Sequence, residues 1–252
     1  MIALRKHHMA VNGSLDRRAF DRRLFAAAAV LFPLIILAGF GRTYYLKGFF
    51  DTPPLASMLV HLHGIFMSAW VVLFILQVWL VSARRIRVHQ RLGFAAIGLG
   101  ILVIVVGFFT AVRAAKFGST SAPPGIPPLA FLIVPLTDLV MFAILFSAAI
   151  YFRKKSAEHK RLMLLTAINF LPPAIARIPV PSLQALGPLW FFGLPAALAL
   201  IALGVDSWRN KKLNKIFLAG ILLLISSFVV RLALMGTNAW MRIAVWLTTW
   251  AA

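Results

Sequence analysis

Two histidines occupy matching places in a short repeated motif, H-x-R-L. The motif occurs in VHQRLG, with His89, and again in EHKRLM, with His159. Neutral imidazole is the commonest metal ligand in proteins and also ligates haem iron. The repeat therefore predicts that His89 and His159 ligate one metal ion or a haem b, at the same depth on two helices. The alternative is that each motif only anchors the start of a helix at phosphate headgroups.

A second pair of histidines lies in VHLHG, at His61 and His63. Residues two apart on a helix point about 200° apart, so these two side chains cannot bind one metal ion together. One of them is expected to face the bundle; the alternative for both is a packing hydrogen bond between helices. His61 also cannot share a site with His89, because about 28 helical residues span roughly 40 Å.

Asp138 is the acidic residue that lies deepest within an apolar run. An ionisable group inside a bilayer costs several kcal/mol unless it faces protein or water. Other polar residues fall at a similar depth on neighbouring helices, namely His63, Arg177 and Arg231. Together they predict an outward-facing polar cavity for a small-molecule or proton-coupled carrier. The alternative for Asp138 is a structural ion pair with an arginine of another helix.

Two consecutive prolines, Pro172 and Pro173, interrupt the apolar run that contains Asn169. They remove two backbone donors and release carbonyl groups near Ile168 and Asn169. Broken helices often mark binding sites in transporters, so Asn169 joins the predicted cavity. A simple packing kink is the competing interpretation.

The elements that position these residues are apolar. Of the 252 residues, 62% are hydrophobic and 13% are charged, far from the composition of a soluble domain. Seven apolar runs are long enough for helical membrane spans. They cover about 24–41, 55–82, 92–112, 128–152, 160–178, 186–205 and 214–236. The fold class predicted is an all-α polytopic membrane bundle over 24–236, with an interfacial segment at 237–252. Thr52 is the predicted N-cap of the second span.

The distribution of Lys and Arg predicts the orientation of the bundle. Most of the 26 basic residues fall in four clusters, at 5–23, 84–91, 153–161 and 209–215. Because these clusters lie between alternate spans, they place 1–23 in the cytoplasm as a basic N-terminal segment. The expected location is a bacterial inner membrane. The net charge of +20 is explained by this topology rather than by nucleic acid, so no nucleic-acid partner is expected.

Several chemistries are excluded by what the sequence lacks. There is no cysteine, which rules out disulfides, thiolate metal sites and iron–sulfur clusters.

Membrane lipid is the expected partner. The small-residue stretch GFAAIGLG, 93–100, is suited to packing against a second copy, against another membrane protein, or within the bundle.

The stretch from His61 to Gly93, with HLHG and VHQRLG, and the motif EHKRLM resemble small bacterial multi-span families. Some of those families are tied to haem–copper oxidase assembly or to diheme b-type cytochromes. The resemblance covers about 55–175 and implies a respiratory redox or assembly role, with His61, His89 and His159 as cofactor ligands. This sequence departs from that pattern because no second outer histidine lies on another span, which puts an outer bis-histidine haem in doubt.

Overall fold

The computed structural model describes residues 2–118, 122 and 125–249, with side chains from residue 20 onward. Throughout this described part the regular secondary structure is helical, without a strand. The helices are α1 Ile2–Phe40, α2 Met58–Ser82, α3 Ile86–Lys116, α4 Pro128–Phe131, α5 Ile133–Tyr151, α6 Ser156–Asn169, α7 Pro172–Ala176, α8 Pro181–Gln184, α9 Pro188–Phe191, α10 Gly193–Asn210, α11 Lys215–Leu234 and α12 Asn238–Thr249.

The chain is an integral, multi-pass membrane protein with an all-α fold, as its composition predicts. Among the described residues, 6 helical segments are long and apolar enough to cross a membrane. These are Phe20–Tyr45, Met58–Ser82, Ile86–Lys116, Pro128–Lys154, Pro188–Asn210 and Lys215–Leu234. Each coincides with a predicted span. The direction in which the bundle crosses the membrane stays a prediction.

The remaining predicted span, 160–178, forms two short helices instead of one long one. Helix α6 ends at Asn169 and α7 begins at Pro172, so the predicted break is confirmed. The Leu171 amide donates to the Ile168 carbonyl at 3.1 Å, which tightens the last turn before the prolines. Leu165, Leu171 and Ile175 are fully buried, so this broken segment forms part of the core between α1, α5, α10 and α11.

A close contact joins the broken segment to the first helix. Gly39 of α1 lies against the backbone of Ala174 in α7, where a Cβ atom on Gly39 would clash. Gly64 of α2 likewise lies under the ring of Tyr44. These two glycines let α1, α2 and α7 converge at the end of the bundle that is predicted to face outward.

The two ends of the chain differ from their predicted boundaries. Helix α1 runs without interruption from Ile2, so no break separates the predicted segment 1–23 from the first span. In the predicted interfacial segment 237–252, α12 covers Asn238–Thr249, and the last three residues lie outside the described part. The Trp240 indole donates to the Leu129 carbonyl at 3.0 Å and ties α12 to α4.

The prediction of Thr52 as an N-cap is wrong. Residues 52–57 remain non-helical, and α2 begins only at Met58. Ser57 is the N-cap, and its side chain accepts from the Val60 amide at 3.4 Å. The Thr52 hydroxyl donates to the Arg42 carbonyl instead.

Candidate functional site

His89 and His159 come together at the end of the bundle that is predicted to be cytoplasmic. His89 lies in the first turn of α3 and His159 in the first turn of α6. Their ring centroids are 6.3 Å apart, and the ring planes meet at 80°. The Gln77 amide of α2 donates to the His89 carbonyl at 3.3 Å and holds that turn in place. The matched motifs therefore bring their histidines into contact.

The hydrogen bonds of the two rings differ. The His159 Nδ1 atom lies 2.8 Å from the carbonyl oxygen of Ala149, a fully buried residue. Because a carbonyl only accepts, Nδ1 donates, and in the neutral ring Nε2 is then the nitrogen with a lone pair. The Nδ1 atom of His89 is buried and has no hydrogen-bond partner in the described structure. A carbonyl on the far nitrogen is a common support of a metal-binding histidine.

The spacing of the rings fits a shared metal ion. Two metal–nitrogen bonds of about 2.0–2.1 Å, with about 1 Å from each nitrogen to its ring centre, place the centroids roughly 6 Å apart when the two nitrogens lie on opposite sides of the metal. No group of three or more His, Cys, Asp or Glu side chains with metal-site geometry occurs among the described residues. A metal ion between His89 and His159 would therefore take its other ligands from a porphyrin, water or a partner molecule.

Asp138 and Arg231 form a buried ion pair between α5 and α11. The Arg231 Nη1 atom donates to Asp138 Oδ1 at 2.6 Å, and the two side chains are 0% and 6% exposed. Nε and Nη2 of Arg231 donate to the backbone carbonyl and the hydroxyl of Ser227, both at 3.1 Å. The rings of Phe192 and Phe228 each lie 5.2 Å from the guanidinium. This geometry matches the structural alternative for Asp138.

Asn169 joins this cluster from the end of α6. Its Nδ2 atom donates to the Asp138 carbonyl at 2.9 Å, and its Oδ1 atom is buried with no partner in the described residues. The cluster is packed against aromatic rings. The two described cavities, of about 290 and 330 Å³, lie elsewhere and are lined by residues of α2 and α3 and of α3 and α5, respectively. The carrier function of these residues stays a prediction.

Arg177 and His63 lie near the ends of α7 and α2 that are predicted to face outward. The Arg177 Nη1 atom donates to the Pro173 carbonyl at 2.7 Å, and the guanidinium lies 5.0 Å from the centre of the Phe40 ring. The Nδ1 atom of His63 is buried and has no hydrogen-bond partner in the described structure. Among the described residues, no hydrogen bond connects this pair with Asp138 and Arg231. The predicted cavity residues His63 and Arg177 thus lie outside the hydrogen-bonded cluster of Asp138, Arg231 and Asn169.

His61 lies apart from the other candidate ligands. It is exposed, and its Nδ1 atom lies 3.3 Å from the Tyr44 hydroxyl, which also donates to the His61 carbonyl. Of the three histidines predicted as cofactor ligands, the structure brings together His89 and His159 only. His61 lies near the start of α2, and His89 follows the end of that helix.

Sequence reasoning missed a second buried ion pair. Arg161, the arginine of the second H-x-R-L motif, donates from Nε and Nη2 to both carboxylate oxygens of Asp206, at 3.0 and 2.6 Å. The side chains are 8% and 5% exposed. Asn210, one turn later on α10, also donates to Asp206. The sequence does carry a signal for this pair: Asp206 is an isolated acidic residue directly after the predicted end of the apolar sixth run, 186–205.

Comparison with known proteins adds no relative. No protein-family model, no curated protein and no solved structure matches this chain.

Proposed function

We propose that this membrane protein binds a transition-metal ion, as a free ion or as haem iron, between His89 and His159. In this proposal it resides in a bacterial inner membrane with its N-terminus in the cytoplasm. There it takes part in respiratory redox chemistry or in the maturation of a respiratory oxidase. The observation that carries the proposal is the contact between two histidine rings that the H-x-R-L motifs supply from two different helices.

Three features of the pair support a ligand role. The rings stand at a spacing that accommodates two metal–nitrogen bonds. The Ala149 carbonyl fixes the tautomer of His159 so that Nε2 is free to ligate. The bidentate ion pair of Arg161 with Asp206 begins two residues after His159 and fixes the helix that carries it. A metal held there would supply Lewis-acid or one-electron chemistry.

The test is a reduced-minus-oxidised absorbance spectrum together with elemental analysis of the protein purified in detergent. We expect about one metal ion per chain in the wild type, with a Soret band if the metal is haem iron. His89→Gln and His159→Gln should each lose the metal. The matched control is His61→Gln, which changes an exposed histidine at the other end of α2 and should keep it.

Two results would refute the metal proposal: a wild-type protein without stoichiometric metal or haem, or single variants that bind as much metal as the wild type. The assembly role has its own readout. Deleting the gene should lower haem–copper oxidase activity in the membranes, and the wild-type chain should restore that activity. If the His89→Gln chain also restores the oxidase activity, the assembly role does not depend on the metal.

A proton-coupled carrier is the second candidate, and the observation that favours it is the unpartnered Oδ1 atom of Asn169. This acceptor is buried beside the helix break and next to the carbonyl of Asp138. A buried carboxylate and a free acceptor beside a discontinuous helix are features of coupling sites in transporters.

The two buried ion pairs allow a matched test of the carrier candidate. Asp138→Asn with Arg231→Gln neutralises one pair, and Asp206→Asn with Arg161→Gln neutralises the other. The probe is proton flux into proteoliposomes, followed with a trapped pH-sensitive dye. The carrier candidate predicts that only the first double variant loses the flux. Equal flux in both variants, or no flux in the wild type, would exclude it.

A further inference from the structure

We propose that the groove between α3 and α5 binds one acyl chain of an anionic phospholipid, whose phosphate is held by Arg153 at the end of the groove. The groove has a volume of about 330 Å³, and all the residues that line it belong to these two helices. The lipid site is independent of the metal that we place at the histidine pair.

The shape of the groove follows from the sizes of the residues that line it. The buried residues Gly100 and Phe146 form its floor, and a Cβ atom on Gly100 would lie 2.8 Å from the Phe146 ring. Ala143 and Ser147 make one wall with small side chains, and isoleucines of α3 make the other. The groove runs along two turns of α3, roughly 10 Å. A groove of this form accommodates an extended hydrocarbon chain.

The surroundings of the groove favour a lipid chain as its occupant. Helices α3 and α5 lie in the candidate membrane spans Ile86–Lys116 and Pro128–Lys154. Ile101, on the α3 wall, is 56% exposed, so this side of the two helices is open to the hydrocarbon of the bilayer. Since the bilayer core holds no water, an apolar groove at this place is filled by a lipid chain.

A cation is held at one end of the groove. Ile150 is the lining residue closest to the end of α5, and its carbonyl accepts from the Arg153 Nη1 atom at 3.2 Å. Tyr151, between the two in the sequence, is 78% exposed. Tyrosine and arginine at the end of a span are typical of the membrane–water interface, where lipid phosphates lie. A chain in the groove therefore brings its phosphate close to Arg153.

The charge around Arg153 favours an anionic lipid over a zwitterionic one. Arg153 has no carboxylate within ion-pair distance among the described residues, and Lys154 and Lys155 follow it in the sequence. Only one guanidinium nitrogen is used by the Ile150 carbonyl, so N–H groups remain for phosphate oxygens. A zwitterionic lipid carries an ammonium group that the lysines repel, whereas phosphatidylglycerol carries only negative charge.

The experiment is native mass spectrometry of the purified protein in an uncharged detergent, which counts the lipids bound to each chain. The protein is titrated with dioleoyl phosphatidylglycerol, and dioleoyl phosphatidylcholine is the zwitterionic reference. We expect the first phosphatidylglycerol to bind more tightly than the first phosphatidylcholine by about fivefold, the effect of one basic residue near a membrane surface.

Two variants test the groove and the cation separately. Ser147→Phe fills the groove and should weaken binding of the first lipid of either kind by about tenfold, because fewer methylene groups are buried. Arg153→Gln should remove the preference for phosphatidylglycerol and keep the binding of phosphatidylcholine. The matched controls are Ile144→Phe, at a 45% exposed position of α5 outside the groove, and Arg85→Gln, at an exposed arginine that stacks on Trp79. Both should bind lipid as the wild type does.

Three results would overturn the proposal: equal affinity of the wild type for the two lipids, wild-type affinity in Ser147→Phe, or a wild-type preference in Arg153→Gln. A wild-type dimer that Ser147→Phe dissociates would assign the groove to a second copy of this chain and would overturn it as well. If Ser147→Phe does not fold, Ala143→Leu fills the groove with a smaller side chain and decides instead.

Discussion

The bundle contains two kinds of polar site, which differ in whether the protein itself supplies a partner for each buried polar group. In the first kind, Asp138 with Arg231 and Arg161 with Asp206, each buried charge meets an opposite charge at 2.6 Å. In the second kind, His89 with His159, no opposite charge is supplied, and the buried Nδ1 atom of His89 remains without a partner in the described structure.

This difference indicates which polar sites stabilise the fold and which are expected to bind a ligand. Opposite charges that neutralise each other inside an apolar bundle fix the position of the helices, and removing one leaves an uncompensated charge. A buried polar atom without a partner, such as Nδ1 of His89, lowers stability unless a ligand binds it. The two ion pairs therefore stabilise the fold, whereas the histidine pair is the place where binding is expected.

The largest effect is expected for Asp138 and Arg231. Asp138→Leu or Arg231→Met alone should lower the free energy of unfolding by about 3–5 kcal/mol, because each leaves a buried charge unpaired. The double variant should be much more stable than either single variant. Thermal unfolding in detergent measures the three. A double variant as unstable as the sum of the singles would show that the two residues do not act as a pair.

A smaller effect is expected at the second ion pair. Asp206→Asn should cost about 1.5–3 kcal/mol, the range for hydrogen bonds to charged groups, since Arg161 stays slightly exposed and lies near the end of the bundle. Asn210→Ala is the control, because it removes the amide's hydrogen bonds to the carbonyl and the carboxylate of Asp206 and keeps the ion pair. Equal losses of stability in the two variants would contradict a dominant role for the charge.

His89→Gln should have a still smaller effect on the metal-free protein. The Nδ1 atom of His89 has no partner to lose in the described structure, so we expect a change within about 1 kcal/mol. Unfolding of the chelator-treated variant and wild type measures it. A loss as large as that of Asp138→Leu would show that the histidine pair stabilises the fold as the ion pairs do, and would contradict its assignment as a binding site.

The smallest effect is expected for the ion pair between Lys160 and Asp21, whose side chains are 27% and 30% exposed. Asp21→Asn should change the free energy of unfolding by about 0.2–1 kcal/mol, and added salt should reduce the difference. The same salt series should leave the effect of Asp138→Leu nearly constant. A salt-sensitive Asp138 effect would mean that water reaches that pair.

The sequence predicts the spans and the histidine pair well because both depend on position along the helices. Apolar runs determine which residues cross the membrane, and two motifs at equal depth on neighbouring helices can meet. The break between Asn169 and Pro172 also follows from proline chemistry alone.

The partners of the buried charges were harder to predict. A membrane helix that is apolar on all sides gives no signal for its rotation, so Arg177 and Arg231 looked equivalent as partners of Asp138. Asp206 lies at the end of its apolar run, where an acidic residue is ordinary. The prolines after Thr52 favour it as an N-cap, but the chain from 52 to 57 stays non-helical and Ser57 takes that role.

The most direct test of the histidine pair is X-ray absorption spectroscopy at the metal edge of the protein as purified. A metal held by His89 and His159 predicts two imidazole nitrogens at about 2.0–2.1 Å, and the loss of one or both in His89→Gln. A wild-type protein without metal would contradict the account. So would a metal without imidazole ligands, or a spectrum that the substitution leaves unchanged.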